Sequence, residues 1–277
     1  MWFLNPLSWR LSKTYRAWPP AKKLRQQIND RQAKVEGYAL DAFQSASVCA
    51  IGAGGVGMPI LKGLSMKAVR RVDAYDDDRV ELSNLSRLPE FTIADVGKYK
   101  ARVAARHLTA GALFPLTVSA HPFRFEERFS IDRPPKRRHD LIICSVDNNP
   151  TRRDVSAFAI AHRIPVIFAA VGRDANAASV FVQEPDHACW GCAYPQMLND
   201  QSYPCGLPGS IDVLNVAAGL AIHAADSLIA SRPREWNRRD IYLDGGLSDR
   251  TLRIERRPDC PLCAQAAAVV TSLPQAA

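Results

Sequence analysis

The sequence predicts an α/β fold, with a doubly wound, mostly parallel sheet extended by antiparallel strands. Three observations carry this expectation. The apolar run Ser47 to Ile51 leads straight into Gly52-Ala53-Gly54-Gly55-Val56-Gly57 and then into a helical stretch, Met58 to Lys67, which is the strand, glycine-turn, helix order of a Rossmann-like unit. Short apolar runs then alternate with segments of helical periodicity, as crossover helices on a parallel sheet require. Beyond residue 175 the alternation stops, and strand-like runs without crossover helices flank one long helix, which reads as an antiparallel extension.

The elements follow in order. Ala68 to Asp76 reads as a second strand ending in acids, Gly97 to Leu108 as a helix, Leu116 to Ala120 as a strand, and His139 to Asp147 as a buried strand ending at a carboxylate. Pro150 to Arg163 makes a helix with proline at its first position, where the missing N–H costs nothing. Pro165 to Val171 and Ala178 to Gln183 are strands, Ile211 to Ser231 is the long helix, and Ile241 to Arg257 supplies the last strands. The expected organisation is a basic arm or helix over residues 1–38, a nucleotide-binding half over 39–175, and a C-terminal half over 176–277, forming one continuous domain.

Composition narrows the class. With 277 residues, 47% of them hydrophobic and 23% charged, the chain is ordinary globular material, which excludes disorder, collagen and coiled coil. The most lipid-like stretch, Val216 to Ala225, is ten residues long and holds His223, short of the about twenty a membrane span needs. Residues 1–10 hold Pro6 and no small-residue cleavage site follows, so no secretory signal is read and the cytoplasm is the expected location. The formal charge is +8, but residues 1–39 carry eight Lys or Arg against two acids. The body is therefore close to neutral, which disfavours a nucleic-acid binder and favours a solvated helix face over a docking arm for phosphates, acidic partners or membranes.

Chemistry concentrates in a few motifs. A glycine turn before a helix lets backbone N–H groups approach phosphate, because no Cβ intervenes. Asp76 lies 24 residues after Gly52, near the ~20-residue spacing at which a carboxylate accepts ribose hydroxyls. A dehydrogenase would fit equally well to this point. The segments Asp76 to Arg87, Gly97 to Lys100 and Ser145 to Arg153 decide against it, since they put cations and a carboxylate at the sheet's ends, a set suited to triphosphate chemistry. Seven cysteines without a secretory context argue for metal or chemistry over disulfides. Cys189, Cys192, Cys260 and Cys263 form two C-x-x-C pairs with 67 intervening residues. Four thiolates complete a tetrahedral zinc site with no open position for water, a structural staple between distant segments; a redox pair is the alternative. Cys49 and Cys144 fall within apolar strands and read as small core hydrophobes.

These motifs, GAGGVG, D-x-D-x-V-x-x-SNL-x-R, G-x-x-K and S-x-DN-x-x-x-R, resemble the adenylation domain of ubiquitin-activating enzymes, and most of all the short bacterial ThiF and MoeB proteins. The resemblance runs from Ala39 to Cys263 and includes the ending TLRIERRPDCPLC. It implies adenylation of the C-terminal glycine carboxylate of a small ubiquitin-like or sulfur-carrier protein ending in Gly-Gly, with ATP and magnesium, by a homodimer. By motif position it implies that Gly52 to Gly57 cradle the nucleotide and that Asp76, with Asp78 in the same motif, holds the ribose. Asn84, Arg87 and Lys100 would contact phosphates, and Asp147 would ligate magnesium, with Asn148 and Arg152 supporting its loop. The family places zinc on two such cysteine pairs.

Two further residues are expected from the resemblance. Cys205, in the Pro/Gly-rich loop Asn199 to Ser210, corresponds to a crossover-loop cysteine that takes the activated tail as thioester or acyl persulfide; an inert loop cysteine is the other reading. The family's N-terminal Arg-Gln pair, whose arginine reaches the other subunit's ATP, matches both Arg25-Gln26 and Arg31-Gln32, and Arg31 is chosen. Leu88 stands where many members have glutamine. The basic arm tilts the expectation toward a bacterial conjugation pathway with a conjugating enzyme. Sulfur transfer for thiamine or molybdopterin biosynthesis, adenylation of a peptide or tRNA-base carboxylate, and a non-catalytic nucleotide-binding module are the alternatives.

Overall fold

The computed structural model describes residues 11–133, 135, 137–202 and 208–272, without side chains beyond Ala266. In chain order the elements are β1 (Lys13–Arg16), α1 (Lys22–Ile28), α2 (Asp30–Ala33), α3 (Leu40–Ser45), β2 (Ser47–Ile51), α4 (Gly57–Met66), β3 (Arg71–Tyr75), α5 (Lys100–Ala110), β4 (Thr117–His121), β5 (Leu141–Cys144) and α6 (Asn149–His162), followed by β6 (Val166–Val171), β7 (Ala177–Gln183), α7 (Trp190–Ala193), α8 (Ile211–Ile229), β8 (Arg238–Tyr242), β9 (Arg250–Leu252) and α9 (Pro261–Ser272). Nine described strands form one sheet in the order β1-β4-β3-β2-β5-β6-β7-β8-β9. The five from β4 to β6 run parallel, and β7, β8 and β9 continue antiparallel.

Period-2 alternation sorts the core into two layers. On β2, Val48 and Ala50 face the layer built by α4, α5 and α8, while Cys49 and Ile51 face α6 and the cysteine pairs. Buried on both faces, such strands read as unbroken apolar runs, which is why they were legible. Two glycines permit close approach. A Cβ on Gly57 would stand 2.2 Å from the Gly52 carbonyl oxygen, and one on Gly63 would stand 2.3 Å from Ile222 Cδ1, where α4 crosses α8.

The structure departs from expectation in three places. The basic arm is more than a helix: β1 pairs antiparallel with β4, from Lys13 opposite Ala120 to Arg16 opposite Thr117, with Tyr15 packed on the core. The pairing satisfies the outer backbone groups of β4, a long-range gain invisible in the local pattern. α8 spans 19 residues at mean hydropathy 1.3, about twice the apolar run read from sequence. By length and composition alone it could cross a membrane, but Val213, Leu214, Ala217, Ala218, Ala221, Ala224 and Ala225 are buried in the core over the sheet. α6 begins at Asn149, so Pro150 is its second residue, and Asn148 caps it by accepting from Thr151 N at 2.9 Å.

Gly57→Ala forces a Cβ against backbone that has nowhere to go, and costs about 1–3 kcal/mol. Gly63→Ala meets only the flexible end of Ile222 and recovers part of that cost through the ~1 kcal/mol better helix propensity of alanine. Thermal denaturation should therefore show a clear fall in Tm for Gly57→Ala and a smaller one for Gly63→Ala.

Candidate active site

Three adjacent strands, β3, β2 and β5, bring the expected residues to one edge of the sheet at their carboxyl ends. The turn after β2 is held from both sides. Gly52 N donates to Tyr75 O at 2.9 Å, and Ser145 N, just past β5, donates to Ile51 O at 2.9 Å. Gly52 sits at φ +96°, a conformation glycine tolerates and a side chain resists. The Ser145 hydroxyl donates to the Gly52 carbonyl at 3.1 Å and fills the space beside Gly57. Ser145 opens the S-x-DN motif without an expected role of its own, and its position directly after a buried strand is the signal that marks it. Gly54 has no atom within 4 Å of where its Cβ would be, and Gly55 is roofed by Leu214 of α8, 2.9 Å from its Cβ position.

Asp76 leaves β3 beside this turn. Ala53 N donates to one of its oxygens at 2.7 Å and Asp78 N to the other at 2.9 Å. Burial pushes its carboxyl up to about 6, against the pull of Lys100 and of the Ala53 N–H. Lys100 Nζ pairs with Asp78 Oδ2 at 2.8 Å. Burial disfavours the ammonium, but the Asp76 charge and the Asp78 hydrogen bond outweigh it and hold the lysine pKa above its ordinary value. A short backbone ladder sets this register: Lys100 N donates to Asp78 O at 2.8 Å and Val80 N to Lys98 O at 2.9 Å. Arg79 braces it by stacking on Tyr99 at 4.2 Å and donating to Gly97 O.

The other expected residues are placed as follows. Asn84 is buried, its Oδ1 accepting from Glu81 N at 3.2 Å to cap a short turn over Leu82–Asn84. Arg87 lays its stem over the glycine turn, with Cδ 3.8 Å from the Cβ position of Gly55 and 3.6 Å from that of Gly209, and donates to Ser83 O at 3.3 Å. Asp147 is exposed two residues past Ser145. Its loop is clamped by Arg152, which donates to Val146 O at 2.7 Å and Asn149 Oδ1 at 2.8 Å. Burial lowers the Arg152 pKa, with Cys144, Tyr194 and Asp147 among the groups opposing the shift; a guanidinium stays charged regardless. The start of α6, a 14-residue helix, follows directly, so its positive dipole end lies beside the Asp147 loop.

Arg31, expected to reach the other subunit's ATP, stands apart from this chain's own glycine turn. Arg31 lies on α2 with a side chain 93% exposed, and its neighbour Gln32 donates to Met66 O at the far end of α4. That helix has 10 residues, so it separates Arg31 from the glycine turn by about 15 Å. Cys205 falls outside the described residues.

The two cysteine pairs converge. Cys189, Cys192, Cys260 and Cys263 are buried, with all four sulfurs within 4.8 Å of one another. Neighbouring sulfurs stand 3.3 to 3.7 Å apart, close to the ~3.8 Å edge of a tetrahedron with ~2.3 Å zinc–sulfur bonds and far from the ~2.05 Å of a disulfide. Arg257 N points at Cys192 Sγ at 3.4 Å, a bond that favours thiolate. The donor set fits zinc.

The family model described as ThiF family matches residues 24–262. A sulfur carrier protein adenylyltransferase of Thermus thermophilus is 34% identical over 233 residues, covering 80% of this chain and 84% of that protein. The SAMP-activating enzyme E1 of Haloferax volcanii is 29% identical, covering 80% and 81%, and the sulfur carrier protein ThiS adenylyltransferase of Escherichia coli is 27% identical, covering 84% and 93%. Among solved structures, E. coli MccB with succinimide matches at TM-score 0.71 and 22% identity over 86% of this chain and 74% of its own, a likeness of fold. With the glycine turn, the cysteine cluster and a matched span from the arm to the last cysteine pair, the chain belongs to the ThiF family.

Proposed function

We propose that this protein uses ATP to adenylate the C-terminal carboxylate of a small ubiquitin-like or sulfur-carrier protein ending in Gly-Gly. The observation that carries the reading is the Asp78–Lys100 ion pair locked beside an Asp76 that is itself bonded to the glycine turn. That geometry supports a ribose acceptor at Asp76 with a phosphate-reaching cation at Lys100 in register beside it. In this reading Asp76 holds the ribose, the turn from Gly52 to Gly57 receives the phosphates, and Lys100, Arg87 and Asn84 meet their charge. Asp147 would hold magnesium, which supplies charge neutralisation to the departing pyrophosphate. The acceptor's carboxylate is already ionised at pH 7 and attacks the α-phosphorus, so no general base is needed, and pyrophosphate leaves with its bond electrons. The cysteine cluster holds zinc as a staple. Exposed Trp18, Leu24, Ile28 and Val35 on the arm suit burial against a second copy, as a homodimer would provide.

Between the two fates of the activated tail, sulfur transfer has at least as much support as conjugation: relatives named for sulfur-carrier adenylation match over most of this chain, while a SAMP-activating E1 matches over a similar span. The basic arm, the one feature that favours conjugation, is in part a sheet strand.

The test is ATP–pyrophosphate exchange with candidate small proteins ending in Gly-Gly. Asp147→Ala and Arg87→Ala should each lower exchange by ~10²-fold or more, and near-normal exchange in both would remove the site assignment. Because an ionised Asp76 is the ribose acceptor, the ratio of wild-type to Asp76→Asn affinity for ATP should shrink as pH falls through about 6, measured by calorimetry at pH 5, 6 and 8. A Cys205→Ser protein should lose any thiol-labile adduct with the acceptor; an adduct that persists ends the nucleophile role for Cys205.

A further inference from the structure

We infer that zinc binding and ATP binding are coupled in this protein, with Ser156 and Gln183 as the positioning residues that connect the two sites; the inference rests on the nucleotide edge and the zinc staple proposed above. The segment that carries the first cysteine pair runs back along α6 toward the Asp147 loop and touches it at three rungs. Trp190 N donates to Ser156 Oγ at 3.3 Å, Arg153 Nη1 donates to Leu198 O at 3.3 Å, and Asn149 Nδ2 donates to Asp200 Oδ2 at 2.7 Å. Asn149, Arg153 and Ser156 are spaced i, i+4, i+7, one face of the helix. At the upper end, Arg152, itself bonded to Asn149, grips through Val146 O the loop that carries Asp147.

The lower end is a closed polar knot. Gln183 Oε1 accepts from Trp190 N at 3.0 Å and from Ser156 Oγ at 2.6 Å, and Gln183 Nε2 donates to Ser156 O at 3.0 Å. Ser156 is 0% exposed, Gln183 2% and Trp190 2%. Trp190 stands between two zinc thiolates in sequence, so the metal fixes the orientation of its N–H. Turned away from this knot, the buried Trp190 N–H would lose both of its acceptors, which is costly. The cysteine pair therefore has one arrangement compatible with a docked α6, and α6 has one compatible with the clamped Asp147 loop. A ligand that tightens either end tightens the other, and linkage makes the effect reciprocal.

The test is an equilibrium competition for zinc between the protein, loaded with one zinc per chain, and a zinc-selective chelator, with and without saturating ATP and magnesium. For the wild type, ATP should raise the chelator concentration needed for half-removal by about fivefold or more, the lower range of measured couplings. Ser156→Ala and Gln183→Leu should still bind ATP and one zinc, yet show a shift below about twofold. Should either fail to fold, Arg153→Ala cuts the next rung from a partly exposed position and should also reduce the shift. A wild-type protein that binds ATP with no change in the chelator midpoint overturns the coupling alone, as do variants that keep the full shift. A wild-type protein that binds no ATP overturns the nucleotide edge as well.

Discussion

The closeness with which the backbone from Gly52 to Gly57 folds onto itself governs the carboxyl edge of the sheet. At 2.2 Å between a virtual Gly57 Cβ and the Gly52 carbonyl, the turn admits no side chain there. This tightness frees Ala53 N to reach Asp76 and lets Ser145 bridge from the neighbouring strand. β3, β2 and β5 are thereby stitched at their ends by hydrogen bonds in addition to their own ladders, and the residues that follow them inherit a fixed spacing. The energy of the turn lies less in any single bond than in the exclusion of alternatives, because no side chain fits at Gly57.

The second layer solves a different problem. The face of the sheet toward α6 is covered by a helix, a short knuckle at α7 and the start of α9, and cysteines make up part of its buried surface. Small side chains bury little apolar area each. Bringing Cys189 and Cys260 from distant parts of the chain to within 3.5 Å therefore asks for a stronger bond than packing offers, and a metal held by the four thiolates would supply one.

Legibility in the sequence followed the range of the interaction. The parallel strands were readable because burial on both faces leaves a continuous apolar run, and the glycine turn because its chemistry is local. The cysteine pairs were readable because thiolate spacing carries meaning across any distance. β1 was not, since Lys13 to Arg16 form a strand only because β4 presents an open edge. Helix starts slipped by a few residues where tertiary contacts set them: α5 begins at Lys100 because its N–H is taken by Asp78 O. At the site, residue types were visible while their present partners were not. Asn84 reads as a phosphate ligand, yet its amide holds a turn together through Glu81.

One further consequence lies at the two margins of the sheet. The outermost described strands, β1 and β9, carry Lys13, Arg16 and Arg250. Unsatisfied backbone along such a border invites a foreign strand to join, and cationic side chains are among the means by which proteins refuse it. Two borders of the same sign repel each other, so another copy of this chain would be turned away from border-to-border stacking and directed toward helical or loop surfaces. Lys13, Arg16 and Arg250 would thus oppose growth of the sheet into a fibre.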